Sequence, residues 1–222
     1  MDGPVELRSI RRTNLREEAL AVLRAAILGG QLAPGTIHSA VSLAAPLGVS
    51  ATPVREAMLE LVKSELLEVL PNRGFRVTVI DEQDLDEICA LRLMLEVPAI
   101  EVVIERASDA SLSGLGPRLA ELETAAANGD VPAFLLADRA FHLELLELAG
   151  SPRLVRIVAE LRDQTRIVGM QSLAAAETLE ATAAEHRPIL EAMQARDVST
   201  AQHLMRLHIE QIRGAWAGRA EG

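Results

Sequence analysis

Aromatic residues are almost missing from this chain: no tyrosine, one tryptophan and three phenylalanines in 222 residues. So few rings argue against a groove that stacks single-stranded bases. Cysteine is equally scarce. The single Cys89 excludes an internal disulfide framework and fits a reducing cytoplasm. No apolar run approaches the about 20 residues that cross a bilayer, and "MDGPVELRSIRRTN" at the N-terminus lacks the apolar stretch of a signal peptide. Positive charge is short as well, with 22 Lys and Arg against 32 Asp and Glu, net −10.

The charge shortage is uneven. Residues 1–77 carry nine basic and eight acidic side chains, net +1, whereas residues 78–222 carry thirteen and twenty-four, net −11. Only the first third can approach a phosphate backbone without strong repulsion. The length suits two modest domains, and the division is expected at 1–77 and 78–222.

In the first part, "TNLREEALAVLRAAIL" has Thr13 and Asn14 as N-cap candidates, followed by Leu20, Leu23, Ile27 and Leu28 at helical spacing. A short helix, "SAVSLAAPLG", runs from a Ser39 cap to a Gly48 stop. Ser50 then caps "ATPVREAMLELVKSELL", with Pro53 in its first turn. Only Gly48, Val49 and Ser50 separate these two helices, which is helix-turn-helix spacing. "EVLPNRGFRVTVI" predicts two strands about a Pro71–Gly74 turn. The second helix of such a motif can present Ser50, Thr52 and Arg55 to a major groove. Asn72 and Arg73 at the ribbon tip, and Arg8, Arg11 and Arg12 as an arm, can reach the backbone or minor groove. Small helical domains with short turns also occur without DNA, so spacing alone leaves both readings open.

The segments "GGQLAPGT", "LAAPLGVSATPVREAMLELVKSELLEVLPNRGF" and the helix before them resemble the winged helix of GntR-type transcriptional regulators, most closely in "TPVREAM" and "PNRGF". The resemblance covers about residues 10–77 and implies binding to a double-stranded operator. The chain departs from the family pattern in several places. Ala51 stands where an arginine is usual, Ala40 where an acid is usual and His38 where an aliphatic side chain is usual. Pro46 enters the second helix, and Leu66 replaces a glycine expected to end the third in the left-handed region.

The remainder reads as an all-α antiparallel bundle of about six helices joined by short loops. Asp81 caps the first, and Pro98 within it is expected to kink or shift it. Asp130 caps the helix that holds "FLLADRAFHLELLEL", in which Asp138 and His142 lie four residues apart, about 40° around the axis. His186 in "AEHRPIL" and His208 in "LMRLHIEQI" fall on other helices. One carboxylate and three imidazoles from facing helices suit a divalent transition metal, although each is singly compatible with a hydrogen-bonded core residue. His203, five residues from His208, points about 140° away and is expected to face solvent.

"DRAFH", "EHRPILEAMQARD" and "LMRLHIE" resemble the effector domain of the FadR-like branch of the same family, called FCD, over about residues 82–215. The resemblance implies that Asp138, His142, His186 and His208 hold a metal, zinc first, with nickel, manganese or iron as competitors. It also implies a small organic acid as effector, for which Arg92 is the leading anchor and Arg166 a second. Arg92 can instead simply pair with Glu96 four residues on. "AGSPRL" places Ser151 where asparagine is common. The expected protein is a homodimeric, cytoplasmic DNA-binding regulator, a repressor and not an enzyme, with no membrane partner. A metal-dependent hydrolase is the first alternative and a regulator with a purely structural metal the second. Against the hydrolase, neither Glu144 nor Glu147 forms a known hydrolytic spacing with His142.

Overall fold

A computed structural model describes residues 15–172 and 176–216. The expected cap at Thr13 and Asn14 and the arm of Arg8, Arg11 and Arg12 lie outside the described residues.

The N-terminal part comprises α1 (Leu15–Leu28), β1 (Ile37–His38), α2 (Ala40–Leu47), α3 (Ala51–Lys63), β2 (Leu67–Leu70) and β3 (Gly74–Val77). Ser39 caps α2 through a reciprocal capping box with Ser42, which satisfies two amides at the helix start. Gly48 ends α2 at φ 66°, a conformation costly for residues with a Cβ, and the three-residue turn then sets α3 across α2. Leu23 and Ile27 of α1 pack with Val54, Ala57, Met58 and Leu61 of α3 in one core with Phe75 and Val77.

The wing differs from the expected two-stranded ribbon. β1 adds to it, giving the antiparallel order β1-β3-β2 with Ile37 opposite Arg76 and His38 opposite Phe75. A two-residue strand has too little alternation to be read from sequence. Gly74 permits the close pairing: a Cβ there would sit 2.5 Å from the His38 carbonyl oxygen. The left-handed residue after α3 is Glu65, at φ 58°, and not Leu66, which is fully buried. The chain therefore needs no glycine at 66.

Residues 78–81 lead into α4 (Glu82–Arg106), which Asp81 and Asp84 cap reciprocally. It runs through Pro98 as one helix, with Pro98 exposed. There follow α5 (Asp109–Ser113), α6 (Gly116–Ala127), α7 (Val131–Glu147), α8 (Pro152–Ser172), α9 (Ala176–Ala184), α10 (His186–Gln194) and α11 (Val198–Trp216). Two of the six expected helices are each broken in two, at Gly114–Leu115 and at Glu185. The bundle core draws Ile100 and Val103 from α4, Leu119 and Leu122 from α6, Phe134, Phe141 and Leu145 from α7, and Ile189 and Ile209 from the last two helices.

One helix meets both cores. In α8 all seven side chains from Leu161 to Ile167 are buried, though five are polar or charged. Ile167 belongs to the N-terminal core, while Val158, earlier on α8, belongs to the bundle core. A polar helix can be buried along its whole circumference only when structure covers every face. Here the bundle covers one side and the N-terminal head the other.

Candidate metal centre

α7 supplies Asp138 and His142 from one face, α10 supplies His186 at its first residue, and α11 supplies His208. All four are buried. One ligand-capable atom from each lies within 4.8 Å of the others. His186 Nε2 is 3.0 Å from Asp138 Oδ1 and 3.1 Å from His142 Nε2, and His142 Nε2 is 3.7 Å from Asp138 Oδ1. These separations bracket the roughly 3.4 Å edge of a tetrahedron with metal–ligand bonds of about 2.1 Å. Phe141 closes one side, its ring 5.3 Å from that of His142 and 5.4 Å from that of His186.

Proton accounting tests whether a cation fits. His186 Nδ1 lies 3.1 Å from the Thr182 carbonyl oxygen and 3.3 Å from that of Ala183, so its proton belongs there. Nε2 then carries a lone pair directed at a carboxylate and at another imidazole nitrogen. A positive charge between these groups removes the repulsion. Placing a second proton on His186 would serve that ring but would leave His208 Nε2, buried and without a hydrogen-bond partner, unsatisfied. An ion shared by all four satisfies both. The donor set, three imidazoles and one carboxylate oxygen, is that of a divalent transition metal.

A charged chain surrounds the four. Asp138 Oδ2 accepts from Arg162 Nη1 at 3.2 Å. Arg162 Nε and Nη2 both donate to Glu96 Oε2, and Glu96 Oε1 accepts from Arg92 Nε at 2.7 Å. Burial alone would raise the Asp138 carboxyl, but the Arg162 guanidinium beside it brings it well below the ordinary range. Glu96 is lowered by the same contest, burial being outweighed by Arg162 and Arg92. Burial, aided by the Arg162 and Arg92 charges, holds both imidazoles well below their ordinary value. They are therefore neutral, the form that ligates.

The expected ion pair of Arg92 with Glu96 does form, but it uses only Nε. Nη1 and Nη2 of Arg92 are buried without partners. Arg166 is also buried and feels the Asp138 charge, yet it makes no hydrogen bond to any of the four. His203 is exposed, as its spacing required, and His38 lies in the head, 2.8 Å from Thr36 Oγ1. Sequence reasoning did not find Arg162, Asp163 or Glu185. Glu185 Oε2 lies 2.7 Å from His208 Nδ1, and burial followed by the Asp138 charge pushes its carboxyl up to about 8. The available signal for Arg162 was its i, i+4 spacing from Arg166 on a helix whose Val158 faces the core.

From this centre the contacts continue to the head. Asp163, next to Arg162, is fully buried and accepts from Arg139 Nε at 2.6 Å and from Arg24 Nη1 of α1 at 2.6 Å. Gln164 donates to Glu65 Oε2 at 3.0 Å, just beyond the end of α3. Beside these contacts a cleft of about 370 Å³ opens between head and bundle, lined by Lys63, Glu65, Thr78, Asp84 and Ile157 among others. It lies at the junction, away from the four ligands. In the head, Ser50, Thr52 and Arg55 are exposed at the start of α3, with the Ser50 hydroxyl making no capping bond. Asn72 and Arg73 are exposed at the wing tip.

Comparison with known proteins joins the two parts. Residues 15–77 match the bacterial regulatory proteins of the gntR family, and residues 87–211 match the FCD domain. The chain belongs to the GntR family of transcriptional regulators. It is 30% identical over 185 residues to the uncharacterized HTH-type transcriptional regulator YdhC of Bacillus subtilis, covering 82% of this chain and 83% of that one. It is 30% identical over 171 residues to the transcriptional repressor GlaR of Escherichia coli, covering 73% and 77%. The solved structure of E. coli McbR/YncC superposes with a TM-score of 0.82 at 27% identity, over 90% of this chain and 95% of that one. Family and relatives are regulators, so the hydrolase alternative falls and this GntR protein is not an enzyme. Among the described residues no helix is long and apolar enough to cross a membrane.

Proposed function

We propose that this GntR regulator is a cytoplasmic, homodimeric repressor whose bundle holds a divalent transition metal and a small carboxylate effector. The functional division is 1–77 for the operator and 78–222 for sensing. Asp138, His142, His186 and His208 hold the ion, zinc being the first choice and nickel, manganese or iron its competitors. When bound, the ion supplies a Lewis-acidic point for an effector oxygen. Ser50, Thr52 and Arg55 read or position a major groove, while Asn72 and Arg73 reach the backbone. Two heads of a dimer then address half-sites about one DNA turn apart.

The observation that carries the effector reading is the pair of partnerless amines on buried Arg92, in a network that reaches the four ligands through Glu96 and Arg162. An unpaired buried guanidinium face is costly unless an anion meets it, and a carboxylate meets it with two hydrogen bonds. Because Arg92 and all four ligands are buried, an acid reaches them only with some repacking. Such repacking lets ligand occupancy favour one arrangement over another. α8 is positioned to carry it, since consecutive residues touch Asp138 and the head.

The test is metal analysis of the purified protein beside His208→Ala, then binding of metal-loaded protein to the duplex upstream of its own gene with small mono- and dicarboxylic acids added. At least one acid should weaken the DNA complex of the wild type. Equal metal content in wild type and His208→Ala, or DNA binding indifferent to every acid that demonstrably binds, overturns the reading.

A further inference from the structure

We infer that Glu185 is a positioning residue for the metal centre, fixing the His208 ring so that Nε2 presents its lone pair to the other three ligands. The inference deepens, and rests on, the metal reading above. All three imidazoles carry a proton at Nδ1 if Nε2 is to ligate; His142 Nδ1 is buried without a partner, and the other two find acceptors of different kinds. His186 uses the backbone, through the Thr182 and Ala183 carbonyls. His208 has no backbone acceptor and uses Glu185 Oε2 at 2.7 Å. Its other nitrogen is buried and partnerless, so no acceptor competes for the proton there.

The local structure shows that Glu185 is committed to this contact. It occupies the N-cap position of α10, where a side chain ordinarily accepts from the amides of the first turn, yet it makes no capping bond. Its carboxylate is turned to α11 instead. Gln211, three residues beyond His208 on α11, steadies it: with the amide nitrogen facing Glu185, Gln211 donates to Oε1 at 2.6 Å and to Oε2 at 3.2 Å. Adjacent residues thus split the work. His186 enters the ligand set, and Glu185 orients the ligand opposite. Burial and the Asp138 charge favour the protonated carboxyl, and a cation held by the four residues would oppose both, so that Glu185 accompanies the ion as a carboxylate. A carboxylate behind a ligating imidazole fixes the tautomer and raises the ring's basicity, and its loss typically weakens metal binding by about 10–100-fold.

The experiment uses the full-length protein as wild type, Glu185→Ala and Glu185→Gln, with zinc alone as the probe. Zinc affinity is read by competition with a chromophoric chelator, and the His208 tautomer by long-range 1H–15N spectra of the zinc-free protein at about pH 9, where the Glu185 carboxyl is ionised. The wild type should hold the His208 proton on Nδ1. Glu185→Ala should move it to Nε2 and weaken zinc by about 10–100-fold. Glu185→Gln keeps an acceptor of the same shape and should retain the tautomer with an intermediate affinity, and it serves as the test should the alanine variant fail to fold. Zinc affinity within threefold of wild type in both variants overturns the inference, whatever the tautomer. A wild type that takes up no zinc overturns the metal reading and this role with it. In that case the ring spectrum still shows whether Glu185 sets the His208 tautomer.

Discussion

Cutting the contact between Asp163 and Arg24 separates two energies that the structure joins. Asp163 is fully buried on α8 and holds Arg139 of the bundle and Arg24 of the head, each at 2.6 Å. A charge-assisted hydrogen bond of this length contributes about 1.5–3 kcal/mol net. Arg24 keeps 30% of its side chain in solvent, so part of that is screened and recovered by water when the partner is lost. About 1–2 kcal/mol is left as the coupling between the pair. The double-mutant cycle of Arg24→Met, Asp163→Asn and the combined variant measures it by urea denaturation followed by far-UV circular dichroism. Asp163→Asn alone should cost more than Arg24→Met, because it also strips Arg139 of its partner. The combined variant should be less destabilised than the sum by about 1–2 kcal/mol. A coupling energy below about 0.5 kcal/mol would refute the reasoning, since α8 would then hold the head by packing around Ile167 alone.

Asp138→Ala, like His208→Ala, should lower metal content to a fraction of wild type by elemental analysis, while His203→Ala, exposed, should not. His142 and His208 have folded pKa values depressed below the ordinary 6.5, so below that pH the unfolded chain binds more protons than the folded one. Stability of the metal-free protein should therefore be intact above pH 6.5 and fall on acidification to 5.5 by about 1–3 kcal/mol, as thermal melts across that window will show. Arg92→Met should retain metal but lose the response of DNA binding to carboxylic acids, read by fluorescence anisotropy. Arg55→Ala should weaken operator binding and, if the side chain meets a phosphate, lower the salt slope by about one.

The four clustered residues were legible because they are polar exceptions in apolar helices, and the i, i+4 spacing of Asp138 and His142 fixes their common face before any tertiary contact is known. Capping residues were legible for a similar reason: Ser39, Asp81 and Asp130 act within three residues of themselves. Arg162, Asp163 and Gln164 were not, since a run of charged and amide side chains normally marks a solvated face. Their burial depends on the head lying against α8, which no local pattern encodes. The breaks at Gly114 and Glu185 escaped notice because the apolar stripe continues across both. β1 escaped because its pairing with β3 is decided across the wing rather than along the chain.

Charge balance ties the proposed metal to the proposed acid. Along the hydrogen-bonded chain from Asp138 to Arg92 the charges are Asp138 and Glu96 against Arg162 and Arg92, two of each sign, with His142 and His208 beside it neutral. That chain is balanced on its own, and an acid meeting it alone would find no net attraction. Adding a divalent ion leaves a surplus of two positive charges in a low-dielectric interior, where an unbalanced charge is far more costly than in water. An anionic effector removes that surplus, and the free amines of Arg92 give it a direction. On the proposed reading, recognition of the acid is therefore conditional on the ion. The same ion would draw on Asp138, the carboxylate that holds Arg162, and Arg162 is the neighbour of the residue that grips the head.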